Sequence, residues 1–293
     1  MNPNSEENQY INLIKNIIDN GTNEYSRNGN TQFIFGNMMR FSLKDGTIPI
    51  ITTKKVAVKT CFEELMWFIK GQTNNKLLQD KKVHIWDANS TREFLDKNKL
   101  HHLQENDLGP VYGHQWRYFN APYTDCNTDY TGKGIDQLAE LIENLKDPVK
   151  RISRRHIISA WNPCQLNEMA LPPCHIMMQF NVSEDKLSCA MYQRSCDVGL
   201  GVPFNIASYS FLTHIIATHC NLVAHEFVYF MGNCHIYIEH MDMLKEQITR
   251  EPLPFPKIKI NTIHNMIEDY CYDDIIWIEK YNSHDKIIMK MKA

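Results

Sequence analysis

The segment from Asn205 to Cys220 constrains the fold most, because it is apolar on nearly every side of a helix. Such a helix has no face suited to water, so other parts of the chain must surround it. The apolar run is interrupted by polar side chains such as Asn205 and His214, and it falls short of a membrane span. We therefore predict a helix buried in the core of a water-soluble protein, with Asn205 near its start.

Strand-like runs flank this segment on both sides. Residues 174–182 and 187–194 are rich in apolar and β-branched residues, and the polar turn Ser183–Lys186 between them predicts a hairpin. A further strand is predicted at 156–161, and shorter β-rich runs lie at 227–230 and 235–237. These strands supply a sheet against which the buried helix can pack.

Helical periodicity is clear in three other places, at residues 10–18, 59–70 and 135–146. Helices and strands do not alternate strictly, which argues for an α+β fold with a large mixed β-sheet flanked by helices, not a Rossmann-type fold. No repeat and no Pro/Gly/Ser-rich tract divides the 293 residues. We expect one domain over residues 1–293, with residues 1–7 as a disordered N-terminal tail.

Charge and cysteine usage limit the classes of function. Lys and Arg number 31 against 34 Asp and Glu, a net charge of −3, so the chain lacks the overall basic field of non-specific nucleic-acid binding. The nine cysteines are scattered, with no C-x-x-C pair that would indicate zinc or a redox dithiol. The polar, acidic N-terminus does not resemble a signal peptide. We expect a reduced, cytoplasmic protein without a metal or a membrane association.

Cys174 is a candidate nucleophile. It follows Pro172 and Pro173, whose fixed φ angles hold its backbone at the start of a predicted strand. A lone cysteine is more often a small buried apolar residue, so a nucleophilic role requires nearby groups that lower the pKa of its thiol. The arginines at 154, 155 and 194 are candidates for that effect, although solvated surface arginines are the simpler interpretation.

Arginines and Ser195 also suit a phosphate monoester, because guanidinium groups and a hydroxyl match phosphate oxygens. His235 and Tyr237 would project to the same side of a strand, where they can bind sugar hydroxyls or form an ordinary half-buried pair. The amide of Asn205 can read a base edge or cap a helix.

Two carboxylates have similar alternatives. Glu64 lies in an apolar helical stretch, where burial would raise its pKa and suit it to proton transfer, although most helical glutamates are solvated. Asp197 precedes Gly199-Leu200-Gly201 and has the ordinary role of a turn residue.

These residues also lie in strings that together resemble thymidylate synthase over roughly residues 8–293. The strings are Ala170-Leu-Pro-Pro-Cys174-His175, Tyr192-Gln-Arg-Ser195, Asp197, Leu200-Gly-Val-Pro-Phe-Asn205-Ile-Ala-Ser-Tyr209, His235-Ile-Tyr237, Ile85-Trp-Asp-Ala-Asn89, Gly109-Pro-Val-Tyr-Gly113 and Arg154-Arg155 with Ala160-Trp-Asn-Pro163. The insertion at 123–133 resembles eukaryotic members of that family and their viral relatives.

The resemblance implies a homodimer whose sheets pack back to back, with each site borrowing residues from its partner. It implies that Cys174 attacks C6 of dUMP, so that C5 accepts the one-carbon unit of 5,10-methylenetetrahydrofolate, and that hydride from the same folate completes dTMP and releases dihydrofolate. Neither a metal nor a nicotinamide takes part.

The resemblance also implies roles residue by residue. The implied catalytic residues are Cys174, Glu64, Asn205, Tyr112, His175 and Arg194. The implied dUMP-binding residues of the same subunit are Arg27, Gln193, Arg194, Ser195, Asp197, Asn205, His235 and Tyr237. The partner subunit is implied to add Arg154 and Arg155. The implied folate-binding residues are Lys54, Ile85, Trp86, Asn89, Leu171, Asp197, Leu200, Gly201, Phe204 and Ala293.

Several positions depart from the family's pattern. The loop at Arg27 is one residue short and lacks its second glycine, Asn233 replaces an aspartate, Glu239 replaces an asparagine, and Ala293 ends a tail that is usually apolar. Two alternatives stay open. A pyrimidine nucleotide hydroxymethylase would use the same cysteine, but Asn205 favours uracil over cytosine. A catalytically weak homologue that binds RNA is disfavoured by the charge of −3 and by the intact set of chemical residues.

Overall fold

A computed structural model describes residues 4–26 and 29–291 of the chain. The helices are α1 (Asn8–Asn20), α2 (Val58–Ile69), α3 (Lys76–Gln79), α4 (Arg92–Lys97), α5 (Tyr112–Tyr118), α6 (Gln137–Lys146), α7 (Gly201–His219) and α8 (Met241–Gln247). The strands are β1 (Thr22–Ser26), β2 (Gly29–Ser42), β3 (Ile157–Ser159), β4 (His175–Ser183), β5 (Lys186–Asp197), β6 (Val223–Tyr237), β7 (Lys257–Ile260) and β8 (Ile275–Glu279).

The main sheet has six strands in the order β1-β2-β6-β5-β4-β3. β5 and β6 are parallel and the other neighbours are antiparallel, so the sheet is mixed. β7 and β8 form a separate antiparallel pair. The described residues share one hydrophobic core. This architecture confirms the predicted α+β fold with a large mixed sheet flanked by helices.

Helix α7 is the crossover between the two parallel strands, and it packs on both of them. Its side chains are buried along almost its whole length, as the apolar sequence predicts. The hydroxyls of Ser210 and Thr213 donate to the carbonyls of Ile206 and Tyr209 one turn earlier, so these two buried hydroxyls are satisfied within the helix.

The opposite face of the sheet carries apolar side chains that no helix covers. Met38, Phe230 and Tyr192 are neighbours across three strands and are 49%, 44% and 36% exposed. Phe35, farther along β2, is 79% exposed. Contiguous exposed apolar surface of this kind marks an interaction surface.

Element boundaries differ from the prediction in ways that have physical causes. Residues 227–230 and 235–237 belong to one strand, β6, because the intervening Met231 and Asn233 continue the pairing with β5. Helix α7 begins at Gly201, so Asn205 lies in its second turn and is not its cap. Strand β2 was not predicted, because Gly36 and Asn37 interrupt the alternation of apolar residues that would reveal it.

The N-terminal segment is a correction to the expected disordered tail of residues 1–7. Residues 1–3 lie outside the described part, but Asn4 and Glu7 are buried and hydrogen-bonded. The polar composition of this segment suggested solvent exposure. The tertiary structure instead supplies backbone donors and acceptors for these polar side chains.

No helix in the described ranges is long and apolar enough to cross a membrane.

Candidate active site

The topology brings the ends of several elements to one side of the sheet. β5 and β6 run in the same direction and pair Asp197 with His235 at their C-terminal ends. β4 is antiparallel to β5, so its first residue, His175, pairs with Gln193 near the same edge. Helix α7 begins just beyond β5, which adds Asn205 to this group. Residues that are far apart in the sequence therefore meet at one end of the sheet.

A cavity of about 620 Å³ lies at this edge. All but four of the predicted site residues line it. The predicted residues on its wall are Glu64, Lys54, Ile85, Trp86, Asn89, Tyr112, Leu171, Cys174, His175, Gln193, Arg194, Ser195, Asp197, Leu200, Gly201, Phe204, Asn205, His235 and Tyr237. This volume suits one or two small organic molecules held side by side.

The four exceptions have different reasons. Arg27 and Ala293 lie outside the described residues. Arg154 and Arg155 are exposed just before the edge strand β3 and do not line the cavity of their own chain. Their expected contribution to a partner's site stays a prediction.

The backbone of Cys174 is held by two neighbours. Its amide N–H donates to the Tyr112 hydroxyl at 2.7 Å, and its carbonyl accepts from the Arg194 amide at 2.9 Å. The Arg194 side chain donates to the carbonyls of Pro172 and Pro173, both at 2.8 Å. The arginine therefore clamps the turn that presents the thiol.

Two effects on the pKa of the Cys174 thiol oppose each other. Burial raises the pKa of Cys174 above its ordinary value, and the positive charge of Arg194 lowers it. Burial is the larger effect, so the arginine alone does not make this thiol a thiolate at neutral pH. The expectation that arginines lower the thiol pKa is correct for Arg194 in direction, but burial outweighs it.

Glu64 is a buried carboxyl on α2. Its Oε1 accepts the indole N–H of Trp86 at 2.7 Å. Burial raises the pKa of Glu64 to about 7, and the Trp86 hydrogen bond opposes that rise. A carboxyl with a pKa near neutrality is suited to both accepting and donating a proton at physiological pH.

His175 stays neutral in this environment. Burial lowers its pKa to about 4, against a hydrogen bond to the Asn205 side chain that raises it. Its ring packs against Tyr112 and Tyr209 at centroid distances of 5.1 and 5.3 Å. A neutral imidazole beside the Asn205 amide offers hydrogen-bonding groups without adding a charge.

At the other end of the cavity, His235 Nδ1 lies 3.0 Å from Asn233 Oδ1. An amide oxygen only accepts, so Nδ1 carries the proton of this pair and Nε2 is left as an acceptor. The ring of Tyr237 packs edge-on against His235 at 5.3 Å. Asn233, which replaces the aspartate expected from the resemblance, thus contacts the His235 ring through its amide oxygen.

Asp197 is a turn residue that also lines the cavity. Its Oδ1 accepts the amides of Gly199 and Leu200 at 2.9 and 3.2 Å, as a turn residue does, and it also lines the cavity. Lys54 donates to the Gly199 carbonyl in the same turn. Burial lowers the pKa of Lys54 to about 8, against the attraction of Asp197.

Two buried polar atoms on the cavity wall have no hydrogen-bond partner among the described residues. They are Nδ2 of Asn89 and Nδ1 of His175. Both residues line the cavity, but these two atoms are themselves covered by the surrounding protein. In the same ranges, no group of three or more His, Cys, Asp or Glu could hold a metal ion.

Some wall residues were not predicted. They are Lys55, Val56, Ala57, Thr60, Phe68, Pro203, Lys286, Ile287, Ile288, Met289 and Met291. The apolar run 287–289 between lysines was a signal for the C-terminal part of this set, because such a segment needs a surface to cover.

The fold places a clamped cysteine and a buried carboxyl on the wall of a cavity whose volume suits small organic ligands. The thymidylate synthase family model matches residues 8–293. The chain is 50% identical to the thymidylate synthase of Saccharomyces cerevisiae over 301 residues, covering 99% of this chain and 98% of that protein. The chain belongs to the thymidylate synthase family.

Other relatives are longer. The bifunctional dihydrofolate reductase-thymidylate synthase of Paramecium tetraurelia is 54% identical over 287 residues, which is 98% of this chain and 61% of that protein. The probable thymidylate synthase of Schizosaccharomyces pombe is 50% identical over 302 residues, 99% of this chain and 48% of that protein. The chain therefore spans only about half to three fifths of the length of several relatives.

Proposed function

We propose that the protein is a methyltransferase that converts dUMP to dTMP with 5,10-methylenetetrahydrofolate, as part of pyrimidine nucleotide biosynthesis. The observation that carries this proposal is the meeting of Cys174, Arg194, Asn205 and His235 in one cavity of a chain of this family. Arg194 and His235 lie on two strands, Asn205 lies on a helix and Cys174 directly precedes a strand. Each offers the group that one part of dUMP requires.

In this proposal Arg194 and Ser195, with Gln193 beside them, bind the phosphate. Guanidinium and hydroxyl donors match phosphate oxygens, so these side chains can bind the negatively charged phosphate of dUMP. Asn205 binds the uracil edge through its donor and its acceptor. His235 Nε2 and the Tyr237 hydroxyl bind the deoxyribose hydroxyl.

Cys174 is proposed to add through its sulfur to C6 of the pyrimidine, which moves electron density to C5 and the C4 oxygen. Donors near that oxygen stabilise the charge, and we assign this role to Asn205, with His175 and Tyr112 organising the surrounding hydrogen bonds. Glu64, whose pKa burial raises to about 7, is proposed to move the protons at C5 and O4.

The remaining wall fits the folate. Leu171, Leu200 and Phe204 offer apolar surface, and Trp86 and Asn89 also line this part of the cavity. Ile85, Gly201 and Asp197 complete this part, with Asp197 able to accept from the pterin and Lys54 to meet the glutamyl group. When bound, the folate supplies the one-carbon unit and the hydride.

The matched test is Cys174→Ser beside the parent chain. The parent is expected to yield dTMP and equal dihydrofolate, measured by mass spectrometry and absorbance. The serine variant is expected to lose turnover by at least about a thousandfold while dUMP still binds, because only the nucleophile has changed. A hydroxymethyl product from the parent, no product at all, or a Cys174→Ser variant that turns over at the parent's rate would contradict the proposal.

We also propose a homodimer formed through the uncovered sheet face around Phe230 and Tyr192. Supporting this, the face is apolar and exposed, and Arg154 and Arg155 stand at its edge strand, where they can reach a partner's phosphate site. Phe230→Lys is expected to give a monomer by sedimentation, because it places a charge at the centre of this face.

A hybrid dimer tests the shared site. One subunit carries Cys174→Ala and the other Arg155→Ala, and neither homodimer is expected to retain full activity. If the arginine acts across the interface, the hybrid contains one intact site and recovers activity. A hybrid as inactive as its parents would place the arginine in its own subunit's site.

We propose the cytoplasm as its location. The nine cysteines are all free, which suits a reducing compartment.

A further inference from the structure

Glu7, just before helix α1, has a carboxylate that is completely buried. It accepts the amide N–H of Thr52 at 3.0 Å, the Thr52 hydroxyl at 2.6 Å and the amide N–H of Thr53 at 2.8 Å. The Asn4 side-chain amide donates to it at 3.2 Å. Four neutral donors thus converge on one carboxylate, and three of them belong to a single two-residue segment.

That segment is part of a loop, residues 51–56, to which the C-terminal part of the chain is also attached. The Tyr281 hydroxyl donates to the Ile51 carbonyl at 2.7 Å, and the His284 amide donates to the Thr52 carbonyl at 2.8 Å. Arg250 donates from one nitrogen to the carbonyls of Thr53, at 3.0 Å, and Asp285, at 2.8 Å. The loop therefore holds the chain that precedes residue 286.

Both of these segments continue into the cavity wall. Lys54, Lys55 and Val56 line the cavity directly after the residues that Glu7 binds, and residues 286–289 line it directly after those that the loop holds. Lys54 also donates to Gly199, in the turn that carries Asp197. A shift of the loop would thus move three parts of the wall together.

We propose that Glu7 is a positioning residue for the second-substrate part of the cavity, holding the 51–56 loop and, through it, the C-terminal segment in the geometry that receives the folate. This rests on the proposed function, because Lys54, Asp197 and Leu200 are the folate side of that site. Glu7 touches no substrate and acts through Thr52 and Thr53.

The chemistry of the contact makes Glu7→Gln a sharp perturbation. Glutamine has nearly the same shape, but its NH₂ group donates, and the groups that face Glu7 are donors as well. At least one donor then loses its acceptor. Glu6→Gln is the matched control, because Glu6 Oε2 accepts the Ser42 amide of strand β2 at 2.8 Å and its substitution leaves the loop contacts in place.

The experiment measures the KM for 5,10-methylenetetrahydrofolate, kcat, and the Kd for dUMP in the parent and in both variants. For Glu7→Gln we expect the folate KM to rise about tenfold or more, with the dUMP Kd and the saturated kcat changed by less than about threefold. Glu6→Gln is expected to match the parent. An unchanged folate KM, or an equal loss of dUMP binding, would overturn the proposal.

A second readout needs no turnover. Hydrogen exchange followed by mass spectrometry is expected to show faster exchange in residues 51–57 and 281–291 of Glu7→Gln than of Glu6→Gln. Unchanged hydrogen exchange in both segments would refute the positioning role of Glu7, whether or not the parent is active. An inactive parent would count only against the proposed function. If Glu7→Gln does not fold, Glu7→Asp, which keeps the charge but shortens the reach, carries the same two measurements.

Discussion

The buried carboxyl of Glu64 makes a quantitative prediction about stability and pH. Its pKa is about 7 in the folded protein against an ordinary value of 4.5, and burial is the main cause. Between these two values the folded protein binds more protons than the unfolded chain, so the free energy of unfolding falls as the pH rises. The pKa difference of about 2.5 units corresponds to about 3 kcal/mol, at about 1.4 kcal/mol per unit.

Glu64→Gln removes this titration and keeps the shape of the side chain. The Trp86 indole N–H can still donate to the amide oxygen, so the main hydrogen bond is retained. The stability of the variant relative to the parent is therefore expected to increase by about 2–3 kcal/mol between pH 5 and pH 8.5. We also expect the variant to lose most of its turnover, since an amide cannot move protons.

Urea unfolding at the two pH values, at one protein concentration, measures this difference. The control is Glu63→Gln on the same helix, whose carboxylate pairs with Lys81 at 2.6 Å. It is expected to be slightly less stable than the parent at both pH values, by about 0–1 kcal/mol. If Glu64→Gln differed from the parent by the same amount at pH 5 and pH 8.5, the argument from burial would be wrong.

Three further predictions concern two residues of the cavity wall and one glycine outside it. Trp86→Phe removes the indole donor and is expected to raise the pKa of Glu64 above about 7 by about 1–2 units, measured by carbon-13 NMR titration of the carboxyl. Gly109→Ala is expected to lower the free energy of unfolding by more than about 2 kcal/mol in urea, because φ is +72° and a Cβ would lie 2.1 Å from the Glu168 carbonyl oxygen. Asn205→Asp is expected to weaken dUMP binding by at least about tenfold and to favour dCMP, measured by calorimetry, because it exchanges a donor for an acceptor at the base.

The outcome for the helices shows what local sequence contains. Helix α7 is apolar all round and proved buried, and α6 was predicted within two residues because Pro148 follows an apolar stripe. Strand β2 was missed, because its residues pair with the distant β6 and its own pattern is interrupted at Gly36. Pairing partners at long sequence separation leave little trace in a local pattern.

The site likewise combines features set by local sequence with features set by distant residues. Cys174 was suggested by its two prolines, but its environment depends on Arg194, which lies on another strand. The roles of the remaining residues came from a resemblance in motif, and the cavity places most of them together. The segment that contains Glu7 is polar, which predicts a disordered tail. Its buried partners Thr52 and Thr53 are 45 and 46 residues away, so the segment's own sequence does not reveal them.

The sequence by itself determined the features whose cause is local: the buried helix, the β4–β5 hairpin and the family motifs. Only the tertiary structure decided the pKa of Glu64 near 7, the balance at the Cys174 thiol and the burial of Glu7. Periodicity depends on residues a few positions apart, so it can be read from the chain. Burial and charge depend on which distant segments surround a group, and these are set by the packing of the sheet and its helices.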